Sequence, residues 1–195
     1  MGTLRGWSVV RLLALTGTAA PFPRLVQATV AYAAEHPDVD LWVQYGHYRG
    51  PPPECGAAFI PRADVLARLS SVDAVVCHAG SGTIRDVLLA GHIPVLMPRR
   101  ATLGEHVDDH QLDIARAMAA EGRAIVAEAD TLAEAIAGAR ARRGTAHVDT
   151  SQGLSRAVAD EAEDRVACAP GRRRIMWPVL ATLTRLIPIR RVAAN

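Results

Sequence analysis

The stretch Asp73-Ala74-Val75-Val76-Cys77-His78-Ala79-Gly80-Ser81-Gly82-Thr83-Ile84-Arg85-Asp86 constrains this chain more than any other. Its apolar run, Ala74 to Cys77, has the length and branching of a strand buried in a parallel sheet. A turn of small residues follows. From Thr83 to Ala90 the spacing predicts a helix closed by Gly91, a residue suited to the left-handed position past a helix end. Strand, glycine turn and helix together leave unpaired backbone N–H groups aimed at one point, where the helix dipole favours an anion. Ser81 or Thr83 can cap the helix, and either hydroxyl can also meet a phosphate oxygen.

Such a turn can also join a strand to a helix with no ligand at all. Two details favour a ligand. His78 stands at the carboxyl end of the strand, where open α/β sheets bind theirs. Asp86 lies about one helical turn past Gly82, on the same face, and can accept hydrogen bonds from a ribose. The dinucleotide fingerprint is not matched, because Arg85 occupies its third glycine position. A P-loop is excluded, since its Gly-Lys pair is missing.

Strands and helices alternate along the rest of the chain. Strands are expected at 9–16, 40–45, 57–60, 74–77, 93–97 and 124–126. Helices are expected at 22–34, 61–70, 83–90 and 106–121, with a last one from a cap at Asp130 or Thr131 to about Arg140. The three consecutive prolines at 51–53 place a loop over residues 46–56. This alternation predicts a doubly wound, Rossmann-like α/β fold with a parallel sheet of about six strands. Residues 1–141 form that domain. Residues 142–171 read as a linker and a helix at 154–166, and residues 172–195 as a basic, apolar tail.

Composition narrows the function. With 50% hydrophobic residues the chain has a real core. A net charge of +2 and few aromatic residues argue against nucleic acid. All 22 basic residues are arginine, which excludes Schiff-base chemistry and lysine bases. Cys55, Cys77 and Cys168 are odd in number and widely spaced, which fits a reducing compartment and neither a disulfide framework nor a zinc site. The amino terminus lacks the order of a signal peptide, and no apolar run reaches membrane-spanning length.

Taken together, Phe59-Ile60-Pro61-Arg62-Ala63-Asp64-Val65-Leu66, the Cys77-to-Thr83 turn and Gly104-Glu105-His106-Val107-Asp108-Asp109-His110-Gln111-Leu112-Asp113-Ile114-Ala115 resemble a known family. They are similar to the nucleotide-sugar-binding C-terminal half of GT-B glycosyltransferases, in the lipid II N-acetylglucosaminyltransferase family. Within it the likeness is strongest to single-domain catalytic subunits of two-part enzymes, those of dolichol-linked GlcNAc transfer and of bacterial exopolysaccharide synthesis. Leu15-Thr16-Gly17-Thr18 and Pro21-Phe22-Pro23-Arg24-Leu25-Val26 resemble the start of those subunits, and the likeness covers about residues 9–137.

The resemblance implies a role for each matched position. His78, Ala79, Gly80, Ser81, Gly82 and Thr83 would surround the diphosphate of a UDP-sugar, Asp86 would hold the ribose, and Ile60 to Arg62 would cradle the uracil. His110 and Gln111 would meet the donor sugar, with Glu105 and His106 as second contacts and Thr16 and Gly17 in the first turn. It further implies inverting sugar transfer, of GlcNAc in the first place, to a lipid-linked or polysaccharide acceptor. UDP-sugar is then a substrate, and no cofactor is expected. Two features depart from the pattern. Pro23 replaces an acidic residue, and the acceptor domain of the two-domain enzymes has no counterpart in these residues. An acceptor-binding, membrane-anchored partner that also supplies the general base is therefore expected, with the chain cytoplasmic and peripheral at the inner face of the plasma membrane. The rival readings are a non-catalytic nucleotide-sugar-binding or scaffold protein and a UDP-sugar 2-epimerase-like protein.

Several residues have plain alternatives. Glu105, His106, Asp108, Asp109 and His110 can be read as a metal cluster, but acidic residues in a first helical turn are ordinary dipole partners, so no metal is expected. Arg99 and Arg100 follow a strand end and either approach the diphosphate or lie exposed, as loop arginines commonly do. His36, His47, His92 and His147 are expected in loops or at the surface. Arginines flank the apolar run 175–189, which carries Trp177 and is broken by Pro178, Arg185 and Pro188, so residues 172–191 suit an interfacial helix on a membrane surface or a partner, or else a helix folded back onto the domain.

Overall fold

A computed structural model describes residues 9–145. The expected linker beyond Thr145, the helix at 154–166 and the tail at 172–191 lie outside the described residues. Six strands and five α-helices alternate: β1 Val10–Leu15, α1 Pro23–Glu35, β2 Val39–Gln44, β3 Gly56–Ala57, α2 Arg62–Ser71, β4 Ala74–Cys77, α3 Ser81–Leu89, β5 Val95–Leu96, α4 His110–Ala120, β6 Ile125–Val126 and α5 Leu132–Ala141. A 3₁₀ turn, Ala101–Leu103, lies between β5 and α4.

All strands are parallel, in the order β3-β2-β1-β4-β5-β6. The doubly wound fold expected from the alternation is thus observed. Because side chains alternate across a strand, each central strand must be apolar at every position to be covered on both faces. β1 meets this requirement from Leu12 onward. Leu12 and Ala14 join Val76, Phe22, Leu25 and Ile136 on one face, and Leu13 and Leu15 join Val75, Leu69, Ile84 and Met118 on the other. Helices α1 and α5 cover the first face, and α2, α3 and α4 the second.

Several boundaries move for local reasons. β3 forms at Gly56–Ala57 rather than 57–60, because Gly56 pairs with Val43, and a β-carbon there would collide with the Val43 carbonyl. Phe59, expected within that strand, is 46% exposed. α3 begins at Ser81, and Gly80 holds its N-cap with no side-chain cap hydrogen bond, so neither Ser81 nor Thr83 caps it. α4 begins four residues later than expected. The Asp109 carboxylate accepts the Ala101 N–H at 2.8 Å and folds residues 101–109 into a closed loop, so Glu105 to Asp109 do not form a first helical turn. Gly91 has φ +83°, as its place past α3 requires. Truncating Leu13, which has no solvent exposure, to Ala is expected to cost about 2–5 kcal/mol of stability in urea unfolding.

Candidate active site

β1 and β4 are neighbours in the sheet, but their chains leave toward opposite edges, β1 to β2 and β4 to β5. This reversal opens a crevice at the carboxyl ends of the two strands. A cavity of about 500 Å³ occupies it. From β1 and its turn come Leu15, Gly17 and Thr18; from β4 and α3 come His78, Gly80, Gly82, Thr83 and Asp86; Ile60, Arg62 and Val65 close the α2 side. The uncapped amino end of α3 lies among these residues, so its first N–H groups remain free for an anion.

His78 is held from both sides by glycine. A β-carbon on Gly17, whose φ is +77°, would fall 2.5 Å from the imidazole, and one on Gly80 would collide with the same ring. Only glycine at both positions admits the ring. Nδ1 of His78 lies 3.4 Å from the Leu15 carbonyl, which places the proton on Nδ1 and leaves Nε2 with its lone pair. Burial above all, then the charge of Arg99, pushes the His78 pKa down to about 4, against the opposing pull of the Leu15 carbonyl. The ring is therefore neutral at pH 7.

Asp86 is buried, and its carboxylate receives Nε and Nη2 of Arg62 at 2.9 and 2.5 Å. The pair joins the start of α2 to α3 across the rim of the cavity. Arg62 orients the carboxylate while leaving further lone pairs on its oxygens.

The other residues singled out from the sequence fall around this crevice in different ways. Thr16 is fully buried and donates from Oγ1 to the Gln44 carbonyl at 3.0 Å. The Ala79 side chain is in the core, so only its backbone can face a ligand. Glu105 is bound at 2.9 and 2.8 Å by Nε and Nη2 of Arg24, and it also accepts the Arg100 N–H. Arg24 further reaches Glu128 at 2.7 Å and the Pro98 carbonyl at 2.6 Å, and Arg100 pairs with Glu128. Glu105 is thus spent on fastening the β5–α4 loop to α1. His106 and His110 meet edge to face, 4.5 Å between ring centres, and both approach the Asp108 carboxylate. The donor atoms of His106, Asp108 and His110 lie within 4.8 Å of one another, so these residues could hold a divalent ion, although the sequence led to no such expectation.

Two arginines were missed or misplaced. Arg99, read from the sequence as either approaching the diphosphate or lying exposed, is 1% exposed. Its Nη2 donates to the carbonyls of Thr16 and Ala20 at 2.8 and 2.7 Å, and its backbone N–H to Oε1 of the buried Gln111 at 3.2 Å. Arg24 drew no attention, yet a cation in the first turn of a helix opposes the dipole and so signals carboxylates nearby. His92, expected in a loop or at the surface, lies in the α3–β5 loop but is buried, and it donates from Nε2 to the Leu69 carbonyl at 2.7 Å.

An open, doubly wound sheet with an anion-ready turn at its reversal point defines a class of ligand-binding α/β domains. Residues 56–163 match the family model described as the glycosyltransferase family 28 C-terminal domain, and the chain belongs to that family. A UDP-N-acetylglucosamine–N-acetylmuramyl-(pentapeptide) pyrophosphoryl-undecaprenol N-acetylglucosamine transferase of Xanthomonas campestris pv. campestris (strain B100) is 33% identical over 181 residues, 87% of this chain and 38% of the relative. A protein of the same description from Azotobacter vinelandii (strain DJ / ATCC BAA-1303) is 30% identical over 160 residues, 75% of this chain and 43% of the relative. The chain thus spans about two fifths of the length of these relatives. Among solved structures, the glycotransferase of kitacinnamycin superposes with a TM-score of 0.54 at 21% identity, over 85% of this chain and 41% of that one. Glycosyltransferase SnogD from Streptomyces nogalater does so with 0.51 at 22%, over 86% and 47%. These two show the fold.

The low pKa of His78 has a consequence for stability. The unfolded chain binds a proton at this residue near pH 6.5, whereas the folded chain resists it to about pH 4. Its contribution is complete above pH 6.5 and is lost as the pH falls toward 4. Urea unfolding from pH 7.5 to 4 is expected to show a fall on the order of 3 kcal/mol from this group, reduced in a folded His78→Gln variant.

Proposed function

We propose that this chain is the donor-binding, catalytic half of an inverting glycosyltransferase that moves a sugar from UDP-sugar, UDP-GlcNAc in the first place, to a lipid-linked or polysaccharide acceptor. The observation that carries this reading is the uncapped α3 terminus opening into the switch-point cavity, in a chain of the glycosyltransferase 28 family. The diphosphate lies against the backbone of Ala79 to Thr83. Its developing negative charge, as the bond from the anomeric carbon to the diphosphate oxygen breaks, is met by the N–H groups and dipole of α3. The ribose hydroxyls donate to Asp86, the uracil lies along Ile60 to Arg62, and the sugar extends toward His110 and Gln111. An acceptor hydroxyl oxygen bonds to the anomeric carbon from the opposite face and gives its proton to a base.

That base and the acceptor site belong, on this reading, to a membrane-anchored partner subunit, with the chain working at the membrane's cytoplasmic face and residues 172–191 toward lipid or the partner. The finished site is thus shared between two polypeptides.

Two measurements test these assignments. Calorimetry is expected to show UDP binding weakened by about 1–3 kcal/mol in Asp86→Ala, since the ribose hydroxyls lose their acceptor. An unchanged affinity in the folded variant removes the ribose assignment. The purified chain is also expected to transfer little sugar to a lipid-linked acceptor until its partner is added. Full transfer by the chain alone would overturn the two-subunit reading.

A further inference from the structure

Arg99 is a buried cation with no carboxylate in its hydrogen-bonding shell among the described residues. Its Nη2 is bound to the carbonyls of Thr16 and Ala20, and its Nε and Nη1 meet no acceptor among the described residues. The guanidinium also stands 5.1 Å from the centre of the Phe22 ring. Glu105, the acid whose charge acts on it, is itself bound to Arg24. A buried charge left in this state costs stability. Arg100, the adjacent residue, shows the ordinary solution, since it pairs with Glu128.

The position of Arg99 gives that cost a use. The two carbonyls it holds are the ends of the β1–α1 turn, and Gly17 of that turn packs on the His78 ring. Its backbone N–H fixes Gln111 in the first turn of α4. One residue therefore sets the spacing between the β1 turn, the imidazole and the α4 terminus. We propose that Arg99 is the positioning residue of the anion site, clamping the β1–α1 turn against His78 and supplying, from behind the turn, the fixed positive charge that a diphosphate completes.

Arg99 is not among the residues that line the cavity. It acts through the turn and through its field, which in a buried setting is weakly screened. The charge of Arg99 and His106 acts on His78, whose hydrogen-bond partner is the Leu15 carbonyl, and Asp86 and Arg62 line the same cavity. Removing the guanidinium thus frees the turn and changes the charge that His78 feels.

The inference rests on the diphosphate reading of the site, and its test separates the two. Full-length wild type, Arg99→Met and Arg99→Lys are compared by calorimetry with UDP, uridine and inorganic pyrophosphate, and the His78 titration is followed by NMR. In Arg99→Met, UDP and pyrophosphate affinity are expected to fall roughly tenfold or more, as for loss of a charge-assisted interaction, with uridine affinity nearly unchanged. The His78 midpoint is expected to rise. Arg99→Lys keeps the charge but lacks the planar fork that spans both carbonyls, so it is expected to fall between, and it carries the test if the Met variant does not fold. Equal losses for UDP and uridine, or an unmoved His78 midpoint, overturn the proposal while leaving the donor reading intact. A wild type that binds pyrophosphate but not UDP refutes the nucleotide reading and lets the Arg99 comparison proceed on pyrophosphate. A wild type that binds neither overturns both.

Discussion

The architecture depends on burying β1 and β4 on both faces. From Leu12 onward in β1 and along all of β4, both faces are covered, which leaves no side chain there for chemistry. Function is pushed to their carboxyl ends, where the chain turns away in two directions and the backbone itself becomes the recognition surface. The glycines of the Gly17 and Gly80 turns follow from that displacement, since they let two backbones approach one imidazole.

Charge is handled in two ways around this crevice. Arg24, Glu105, Glu128 and Arg100 satisfy one another and fasten the β5–α4 loop to α1 and to the β6–α5 connection. Arg62 and Asp86 do the same at the rim. Arg99 is treated differently, with backbone carbonyls as its partners. Carbonyls can hold a guanidinium in place but cannot neutralise it, so the positive field persists where the strands end.

Sequence reasoning reached the sheet because its signal is local. A run such as Ala74 to Cys77 states its own burial, and a glycine turn states its own curvature. Alternation pointed to a parallel sheet of about six strands, while the order β3-β2-β1-β4-β5-β6 could be read only from the fold. What escaped was decided by distant partners. Nothing near Arg99 and Arg100 says which will be buried; the carbonyls that choose Arg99 belong to Thr16 and Ala20. The start of α4 moved because the Asp109 side chain engages Ala101, eight residues earlier in the chain. Of the candidate site, Gly80, Gly82 and Thr83 of the α3 turn line one cavity with Asp86, Ile60 and Arg62. Glu105 was expected as a second contact to the donor, while its engagement by Arg24 could be read only from the fold.

The fit of His78 between Gly17 and Gly80 reaches beyond this one side chain. The ring fills a slot with glycine backbone on two sides. Replacing His78 by glycine leaves a vacancy with the outline of an imidazole, open to a small planar heterocycle supplied in the buffer. The pocket is in that sense a receptor for its own missing part. It offers a site for chemical complementation, in which the contribution of one ring can be dialled in by concentration.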